Sequence, residues 1–361
     1  MKRTGLYEKH LARGAKMVEF GGFEMPVSYS SIKEEHRCVR QKAGVFDVSH
    51  MGEFWVEGPQ AQALLQKICS NDIAKLIPGK AQYNYWPNRQ GGVIDDLIVY
   101  QIEKEKYLLV VNASNIDKDW EWINGVNKEF GATLTNASDA LSLLAVQGPL
   151  ALQIVQTLTE KNLSELSFYA HCTTTIAGIA DVLVATTGYT GAGGVEIYCH
   201  NKDVEKLWEA LFLAGEKDGL QPIGLAARDT LRLEMGYCLY GNEIDENTSP
   251  IAAGLGWVSK PETGSINSEQ MAQELQTGTA QKLVGFVMEQ RGIPRQGHPL
   301  VNPSGEIIGR VTSGTQSPSL EQGIGLGYID SDWSKEGTKI AVEIRGKQQG
   351  ATIVKLPFYR P

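Results

Sequence analysis

The sequence predicts an α+β protein of several domains, with mixed or antiparallel sheets and helices in its main part and an all-β barrel or sandwich at its C-terminal end. Three observations support this class. The 361 residues exceed what one hydrophobic core usually holds. Helical spacing and strand-like alternation of apolar residues follow one another up to about Met235. From Gly292 onward, glycine and proline recur at the spacing of turns between short strands.

Charge and composition narrow the classes of partner. The net charge of -8 argues against a nucleic-acid surface, and no apolar run approaches the roughly 18 residues that span a bilayer. We therefore predict no nucleic-acid and no membrane partner. Residues 279–361 carry ten Lys or Arg against seven Asp or Glu, so this end is +3 while the rest is -11. That asymmetry indicates a docking face for an acidic partner.

Cysteine and histidine usage points away from disulfides and metals. The five cysteines are odd in number and widely spread, and they form no CxxC pair, which is typical of a reducing compartment. The six histidines show no HExxH or other metal-ligand spacing, so we predict no metal site.

The first 70 residues predict a loop, a helix, a strand and a second helix. The loop is 24–27. Ser31 and Glu34 form a capping-box pattern for a helix with Ile32, His36 and Val39 on one face. The β-branched and aromatic run 45–56 predicts one strand, with His50 in the middle in a structural role. Pro59 then begins a short amphipathic helix that ends near Ser70.

The stretch Gly91-Gly92-Val93-Ile94-Asp95-Asp96 predicts a hairpin turn that leads into a strand. Because strand side chains alternate between faces, Asp95 and Asp96 cannot act as one acidic dyad. We expect one of them to lie outside, as a cap or a surface ion pair, and the other to face inward. From spacing alone, a turn with two solvated acids remains the alternative. The next strand, 107–111, leads into a helix capped by Ser114 or Asn115.

A second acid lies on a later hairpin. The apolar run 141–146 predicts a buried strand, followed by a helix after Pro149. The glycine-rich loop 188–194 precedes a strand instead of a helix, which disfavours a phosphate-binding loop. The returning strand presents Glu196 between apolar residues, and such an acid needs a partner if it is buried.

Helical spacing returns after this hairpin. The helices are 204–212 and 225–235, and the second places Arg228 and Arg232 on one face. Surface pairing with Asp229 or Glu234 is the alternative to a binding role. A polar helix or linker, 264–278, precedes the C-terminal strands.

Several blocks, in the right order, make the sequence resemble one known family, the aminomethyltransferases or T proteins of the glycine cleavage system. The resemblance begins near Leu6 and runs nearly to the C-terminus, which favours a cytoplasmic bacterial enzyme over an imported one. The blocks that carry it are Phe46-Asp47-Val48-Ser49-His50-Met51-Gly52, Gly91-Gly92-x-x-Asp95-Asp96-Leu97, Val111-Asn112-Ala113-Ser114-Asn115, Thr187-Gly188-Tyr189-Thr190-Gly191, Ala227-Arg228-Asp229-Thr230-Leu231-Arg232-Leu233-Glu234 and Gly254-Leu255-Gly256-Trp257-Val258.

The resemblance implies a tetrahydrofolate-dependent enzyme. Such an enzyme takes the aminomethyl group from the lipoyl arm of the H protein, releases ammonia and leaves 5,10-methylenetetrahydrofolate, in functional linkage with the P and L proteins. It also implies a three-domain cloverleaf around a folate channel. We place the domains at 1–54 with 140–278 (folate-binding), 55–139 (an inserted α/β subdomain with the catalytic acid) and 279–361 (the barrel).

The same resemblance implies the site residues. Asp96 matches the catalytic carboxylate, with Asp95 as its outward partner. Glu196 matches the acid that binds the pterin, and Arg228 a folate-binding arginine. Because the pterin presents adjacent N–H donors in a guanidine-like fork, one carboxylate can accept two of them. Weaker matches place Tyr83, Asn112 and Tyr237 along the channel, and Arg360 at its end.

The chain departs from the family pattern at a few positions, and two other functions compete. Thr186 replaces a common arginine, Ala192-Gly193 a usual acidic pair, and Asn242 a common histidine. The competing functions are a demethylase of N-methyl or S-methyl compounds on the same fold, and a folate-binding accessory protein like the iron-sulfur maintenance relatives. The accessory protein would carry a reactive cysteine motif, which this sequence lacks.

Overall fold

The structure is a computed structural model that describes residues 1–360. Helices and strands are mixed along the chain. The α-helices within the described residues are α1 (Tyr7–Ala12), α2 (Ile32–Gln41), α3 (Ala61–Ile68), α4 (Ile116–Asn127), α5 (Ala151–Gln156), α6 (Val204–Gly215), α7 (Leu225–Glu234) and α8 (Ser268–Thr277). The strands there are β1 (Lys2–Arg3), β2 (Lys16–Phe20), β3 (Phe23–Ser28), β4 (Gly44–Asp47), β5 (Gly52–Glu57), β6 (Lys80–Pro87), β7 (Val93–Glu103), β8 (Lys106–Val111), β9 (Thr133–Asn136), β10 (Leu141–Gln147), β11 (His171–Ile176), β12 (Ile179–Ala185), β13 (Gly194–His200), β14 (Gln221–Pro222), β15 (Gln281–Met288), β16 (Pro299–Val301), β17 (Ile307–Gln316), β18 (Gly323–Asp330), β19 (Lys339–Ile344) and β20 (Lys347–Val354).

The segment predicted as a loop at 24–27 is instead part of strand β3. This strand lies between β1 and β2 in a three-stranded sheet. Proline has no N–H to donate to a neighbouring strand, so it is normally confined to strand edges. β1 pairs only with Phe23 and Glu24, so Pro26 lies where β3 has a single neighbour. The proline therefore interrupts no second row of hydrogen bonds.

The single strand predicted over 45–56 is also wrong, because two strands occupy that stretch. β4 pairs with β10 and β14, whereas β5 pairs with β8 and β9 in a different sheet. A turn joins them, and the Met51 N–H donates to the Val48 carbonyl at 3.0 Å. His50 consequently lies in the turn between two sheets.

The chain divides into two compact units. The first contains residues 1–68, 72–84 and 96–229. The second contains 69–71, 85–95 and the chain from Thr230 onward. Our three-domain boundaries were drawn on family grounds and stay a prediction.

The first unit contains a six-stranded sheet in the order β11-β12-β13-β10-β4-β14. Its pairs are antiparallel except β14 with β4. Helices α5 and α6 contribute buried side chains, Ile154, Leu207 and Trp208 among them, to one core with the sheet. Burial on one side of the sheet leaves the opposite face of β13, with Glu196 and Tyr198, available for polar contacts.

A five-stranded sheet in the order β6-β7-β8-β5-β9 carries the hairpin with the two acids. The Gly-Gly turn joins β6 to β7, as predicted. Gly91 has a φ of +96°, which favours glycine. A Cβ on Gly92 would lie 1.8 Å from the Glu246 carbonyl oxygen, within the second unit. The two glycines are therefore needed for different reasons.

The second unit ends in a closed barrel in the order β15-β18-β17-β16-β19-β20. Phe286, Leu300, Val342 and Ile353 fill its core. Mixed helices and sheets with a C-terminal all-β barrel confirm the predicted fold class, and the barrel replaces the sandwich alternative. Among residues 1–360, no helix is long and apolar enough to cross a membrane.

Candidate functional site

Asp96 lies on β7 with both carboxylate oxygens held by neighbouring side chains. The Tyr83 hydroxyl donates to Oδ2 at 2.9 Å, and the Asn112 amide donates to Oδ1 at 2.8 Å. The same amide donates to the Asp96 carbonyl at 3.1 Å. Three of the predicted site residues therefore form one cluster. All three residues are half-buried, so the cluster is not fully covered by protein.

Asp95 differs from our expectation. It is not at the surface as a cap or an exposed ion pair, because its exposure is 0%. Alternation along β7 separates the two acids, as predicted, but does not tell what covers each face. The face of β7 on which Asp95 lies is covered by protein, so Asp95 is an interior carboxyl.

Glu196 lies at the end of a chain of hydroxyl groups. Thr187 donates to its Oε2 at 2.5 Å, and Tyr100 is 2.9 Å from the Thr187 hydroxyl and 2.9 Å from that of Tyr198. With one proton each, Tyr198, Tyr100 and Thr187 can donate in sequence toward the carboxylate. The acid thus has the partner that its apolar neighbours require.

The second oxygen of Glu196 is available for a ligand. Among the described residues, none forms a hydrogen bond with Oε1, and part of the residue is exposed. Burial raises the pKa of this carboxyl, while Thr187, the charge of Arg228 and Tyr100 oppose the rise. A ligand that donates N–H groups would further favour the ionised form.

Close backbone packing positions the Glu196 strand. Gly194 has a φ of +123°, and a Cβ there would lie 2.2 Å from the Val146 carbonyl oxygen. The loop before it is tied down by Thr186, whose hydroxyl donates to the Ser167 carbonyl at 2.6 Å. The departure from the family pattern at Thr186 therefore has its own anchoring contact.

Arg228 acts on Glu196, and β7 links Asp96 to the hydroxyl groups beside Glu196. The Arg228 guanidinium lies over the Tyr189 ring, 4.6 Å from its centroid, and its charge acts on both Glu196 and His50. Asp96 and Tyr100 are four residues apart on one face of β7, about 13 Å along the strand. The first unit therefore brings together Asp96, Tyr83, Asn112, Glu196 and Arg228.

The remaining predicted residues lie in the second unit. Tyr237 follows α7 with 37% exposure, and Arg360 is exposed near the end of the barrel segment. Their channel roles stay predictions. Arg232 is not a surface residue: it is buried and pairs with the buried Glu243 at 2.8 Å. An ion pair across a loop could not be found from helical spacing.

Sequence reasoning missed the residues that support the acids. Tyr100 and Tyr198 carry no sequence signal beyond strand propensity, and Thr187 stands only in a block that carries the family resemblance. His50 was given a structural role, but within residues 1–360 neither of its ring nitrogens has a hydrogen-bond partner. No group of His, Cys, Asp and Glu among the described residues could hold a metal ion.

Two family profiles match the chain. The profile described as GCVT N-terminal domain matches residues 6–263, and the one described as Glycine cleavage T-protein C-terminal barrel domain matches residues 281–360. The fold and the two matches define a class of transferases with this N-terminal domain and a C-terminal barrel.

Whole-chain relatives define the family more closely. An aminomethyltransferase of Bacteroides thetaiotaomicron is 54% identical over 360 residues, with 99% of each chain covered. One from Flavobacterium psychrophilum is 51% identical with complete coverage of both chains. The crystal structure of glycine cleavage system aminomethyltransferase T from Bartonella henselae has a TM-score of 0.93 and 34% identity, covering 99% of this chain and 98% of that one. The chain belongs to the aminomethyltransferase, or T protein, family of the glycine cleavage system, and it is an enzyme of one-carbon transfer.

Proposed function

We propose that this enzyme transfers the one-carbon unit of an aminomethyl-lipoyl H protein to tetrahydrofolate. Ammonia and 5,10-methylenetetrahydrofolate are the products, and the P and L proteins act in the same system. Family membership supports the reaction. The observation in this chain that carries the proposal is the Asp96 carboxylate, which Tyr83 and Asn112 hold by one hydrogen bond on each oxygen.

The co-substrate fits the residues around Glu196. The pterin of tetrahydrofolate offers two adjacent N–H donors, and Glu196 offers a carboxylate with one oxygen held by protein hydroxyls and the other open. Such a charge-assisted pair fixes the orientation of the ring. Arg228 adds positive charge beside this acid and favours its ionised form.

The reaction exchanges two bonds of the methylene carbon. Its bonds to lipoyl sulfur and to ammonia nitrogen break, bonds to the two folate nitrogens form, and the two folate N–H protons end on the thiol and on ammonia. Asp96 can accept a hydrogen bond from a reacting amine and stabilise the positive charge that develops on it. Because Tyr83 and Asn112 fix the carboxylate beforehand, little reorganisation is needed during transfer.

We also propose that residues 1–54 with 140–278 form the folate-binding domain, that 55–139 form an inserted subdomain with Asp96, and that 279–361 form the barrel domain. Tyr237 and Arg360 are proposed to line the folate channel. These assignments rest on the family pattern.

The direct test is ammonia release and methylenetetrahydrofolate formation from aminomethylated H protein and tetrahydrofolate. Wild type should form both products in equal amounts. The Glu196→Ala variant loses a charge-assisted contact worth on the order of 2 kcal/mol, so its folate dissociation constant should rise roughly 30-fold. No product from wild type, or unchanged folate affinity in the variant, would refute the reaction or the binding assignment respectively.

A further inference from the structure

Thr187 makes the shorter of the two hydroxyl contacts with the Glu196 carboxylate. Its hydroxyl donates to Oε2 at 2.5 Å, and the residue is buried. Because that hydroxyl has a single proton, it can only accept from Tyr100, which lies 2.9 Å away. Tyr100 is 3.4 Å from the carboxylate oxygen itself, so its nearer acceptor is Thr187. These distances fix the direction in which the hydroxyl protons point.

The hydroxyl groups of Tyr198, Tyr100 and Thr187 form a relay whose protons match an ionised carboxylate. Tyr198 lies 2.9 Å from Tyr100, and its hydroxyl has no other hydrogen-bond partner among residues 1–360. From Tyr198 to Oε2, each proton of the relay makes one hydrogen bond. A proton on Oε2 would reverse the relay and leave the Tyr198 proton without an acceptor. A proton on Oε1 would weaken the bond from Thr187, because a charge-assisted hydrogen bond is about twice as strong as a neutral one.

The groups around the relay support this direction. Burial raises the pKa of Tyr100 and of Tyr198 well above the ordinary value, so both keep the protons that the relay needs. Arg228, from α7, also favours the ionised form of Glu196. The His171 ring packs against Tyr100 at 5.6 Å, and burial lowers the pKa of His171, so the ring is neutral. Two further titratable groups act on the relay, Tyr169 and Glu53.

Backbone contacts hold Thr187 in place independently of the relay. The Gln147 amide donates to the Thr187 carbonyl at 3.2 Å and to the Val195 carbonyl at 3.3 Å, so it ties both sides of the loop before β13. The Thr190 hydroxyl donates to Oε1 of Gln147 at 2.8 Å. A Cβ on Gly188 would lie 2.1 Å from the same oxygen. The loop therefore carries two buried threonine hydroxyls with different acceptors, one a carboxylate and the other a neutral amide.

We propose that Thr187, with Tyr100 and Tyr198 behind it, is a positioning residue that keeps Glu196 ionised and restricts the site to ligands that present N–H donors. This inference rests on the proposed folate binding. A carboxylate accepts hydrogen bonds on both oxygens, whereas a carboxylic acid would present a donor to the ligand. The relay offsets the burial that raises the pKa of Glu196. Without the relay, pterin affinity would fall as the pH becomes mildly acidic.

The test measures folate affinity as a function of pH in variants of the two threonines. Thr187→Val removes the hydroxyl that donates to Glu196, and Thr187→Ser keeps it. Thr190→Val is the matched control, because it removes a buried hydroxyl of the same loop whose acceptor is the neutral Gln147. The probe is 5-formyltetrahydrofolate, titrated by calorimetry from pH 5 to 8, with Glu196→Ala in parallel. Buffers of different ionisation enthalpy report the number of protons released on binding.

Thr187→Val should bind the probe about tenfold more weakly than wild type at pH 5, but less than about threefold more weakly at pH 8. A proton must leave Glu196 before the probe binds, and fewer carboxyls carry that proton as the pH rises. The variant should therefore release more protons than wild type near pH 5. Thr187→Ser should stay within about threefold of wild type, and any loss in Thr190→Val should be the same at every pH.

Tyr100→Phe is a second variant, which keeps the inference testable if Thr187→Val does not fold. It interrupts the relay behind Thr187, so affinity should again fall more at pH 5 than at pH 8.

Two results would overturn the inference. If Glu196→Ala weakens binding, but Thr187→Val and Tyr100→Phe change affinity by one factor at every pH and release no extra protons, the relay serves only the fold. The proposed function then stands. If wild type does not bind the probe, or Glu196→Ala binds it normally, the proposed folate site fails, and this inference fails with it.

Discussion

Asp95 and Asp96 are adjacent in the chain, but their surroundings suit them to different tasks. Asp96 is half-buried and held on both oxygens by Tyr83 and Asn112, whereas Asp95 has no exposed surface. A partly exposed carboxylate such as Asp96 can act on a bound small molecule. Replacing a fully buried carboxyl changes its contacts inside the protein, so the first effect is on the folding free energy.

Asp96→Asn should therefore lower kcat by about 10²-fold or more, because the amide cannot stabilise a developing positive charge as the carboxylate does. Folate affinity should change only a few-fold, as expected for an interaction made chiefly in the transition state. Steady-state kinetics beside a folate titration measure both. Asp95→Asn is the matched control: we expect near-normal kcat and a loss of about 1–3 kcal/mol in unfolding free energy. If the Asp96→Asn variant keeps the wild-type kcat, the carboxylate mechanism is wrong.

Glu53 is a second residue whose environment leads to a specific prediction, which concerns the pH dependence of stability. Its exposure is 0%, and neither carboxyl oxygen has a hydrogen-bond partner within the described residues. Burial raises the pKa of this carboxyl well above its ordinary value. Glu53 is thus protonated in the folded protein at pH values where the unfolded chain has lost that proton.

The raised pKa of Glu53 makes the free energy of unfolding depend on pH. Above about pH 4.5 the unfolded state binds fewer protons than the folded state, so the free energy of unfolding falls as pH rises toward the raised pKa. Glu53→Gln removes this dependence. Its stability advantage over wild type should grow by up to about 1.4 kcal/mol per pH unit, measured by urea unfolding between pH 5 and 8. Glu57→Gln, at the half-buried end of the same strand, should change stability by less than about 1 kcal/mol, because its ion pair with Lys106 is partly solvated. Parallel pH profiles for Glu53→Gln and wild type would contradict the assignment.

At the scale of elements, the hairpin between β6 and β7 was predictable because its turn chemistry is local. The two glycines, the strand after them and the separation of the two acids all follow from positive φ and side-chain alternation. What covers each face does not follow, because that depends on segments far along the chain. Asp95 was misplaced for this reason. The ion pair of Arg232 with Glu243 was not predicted, because Glu243 lies across a loop.

The errors at β3 and at β4 with β5 have a related cause. Pro26 was tolerated in a strand because its neighbour β1 is short, and the 45–56 run was split because its two halves pair in different sheets. Propensity reports what a segment prefers, but pairing partners decide where a strand begins and ends. Likewise, the hydroxyl chain behind Glu196 depends on Tyr100 and Tyr198, which come from two sheets.

The close approach of the Glu246 carbonyl to Gly92 can be tested by substitution. Gly92→Ala places a methyl group against the Glu246 carbonyl, where backbone must shift, so we expect a loss of about 1–3 kcal/mol in unfolding free energy. Gly125→Ala is the control. Gly125 lies in α4 with nothing within 4 Å of a new Cβ, so alanine should stabilise the helix by about 0.5–1 kcal/mol. Urea unfolding measures both. Equal effects of the two substitutions would show that the approach is not tight.

At the scale of the whole molecule, the distribution of charge constrains how a protein partner docks. The chain carries -8 in total, yet residues 279–361 carry +3. Lys282, Arg291 and Arg295 are exposed within this segment. If the H protein is acidic, the overall charges repel, and the basic segment is the surface on which approach is favourable.

Activity with H protein should therefore fall as ionic strength rises, more steeply than activity with a free aminomethyl-lipoamide. Only the larger partner uses long-range attraction, and salt screens attraction beyond about 10 Å at 0.1 M. Replacing Lys282, Arg291 and Arg295 together by Gln should flatten the salt dependence for H protein and leave the small substrate unaffected, whereas Lys2→Gln at the exposed N-terminal end should change neither. Measuring kcat/KM for both substrates from low to high salt decides the matter. Equal slopes for the two substrates would mean that the barrel segment does not guide docking, and the positive charge of this end would then need another explanation.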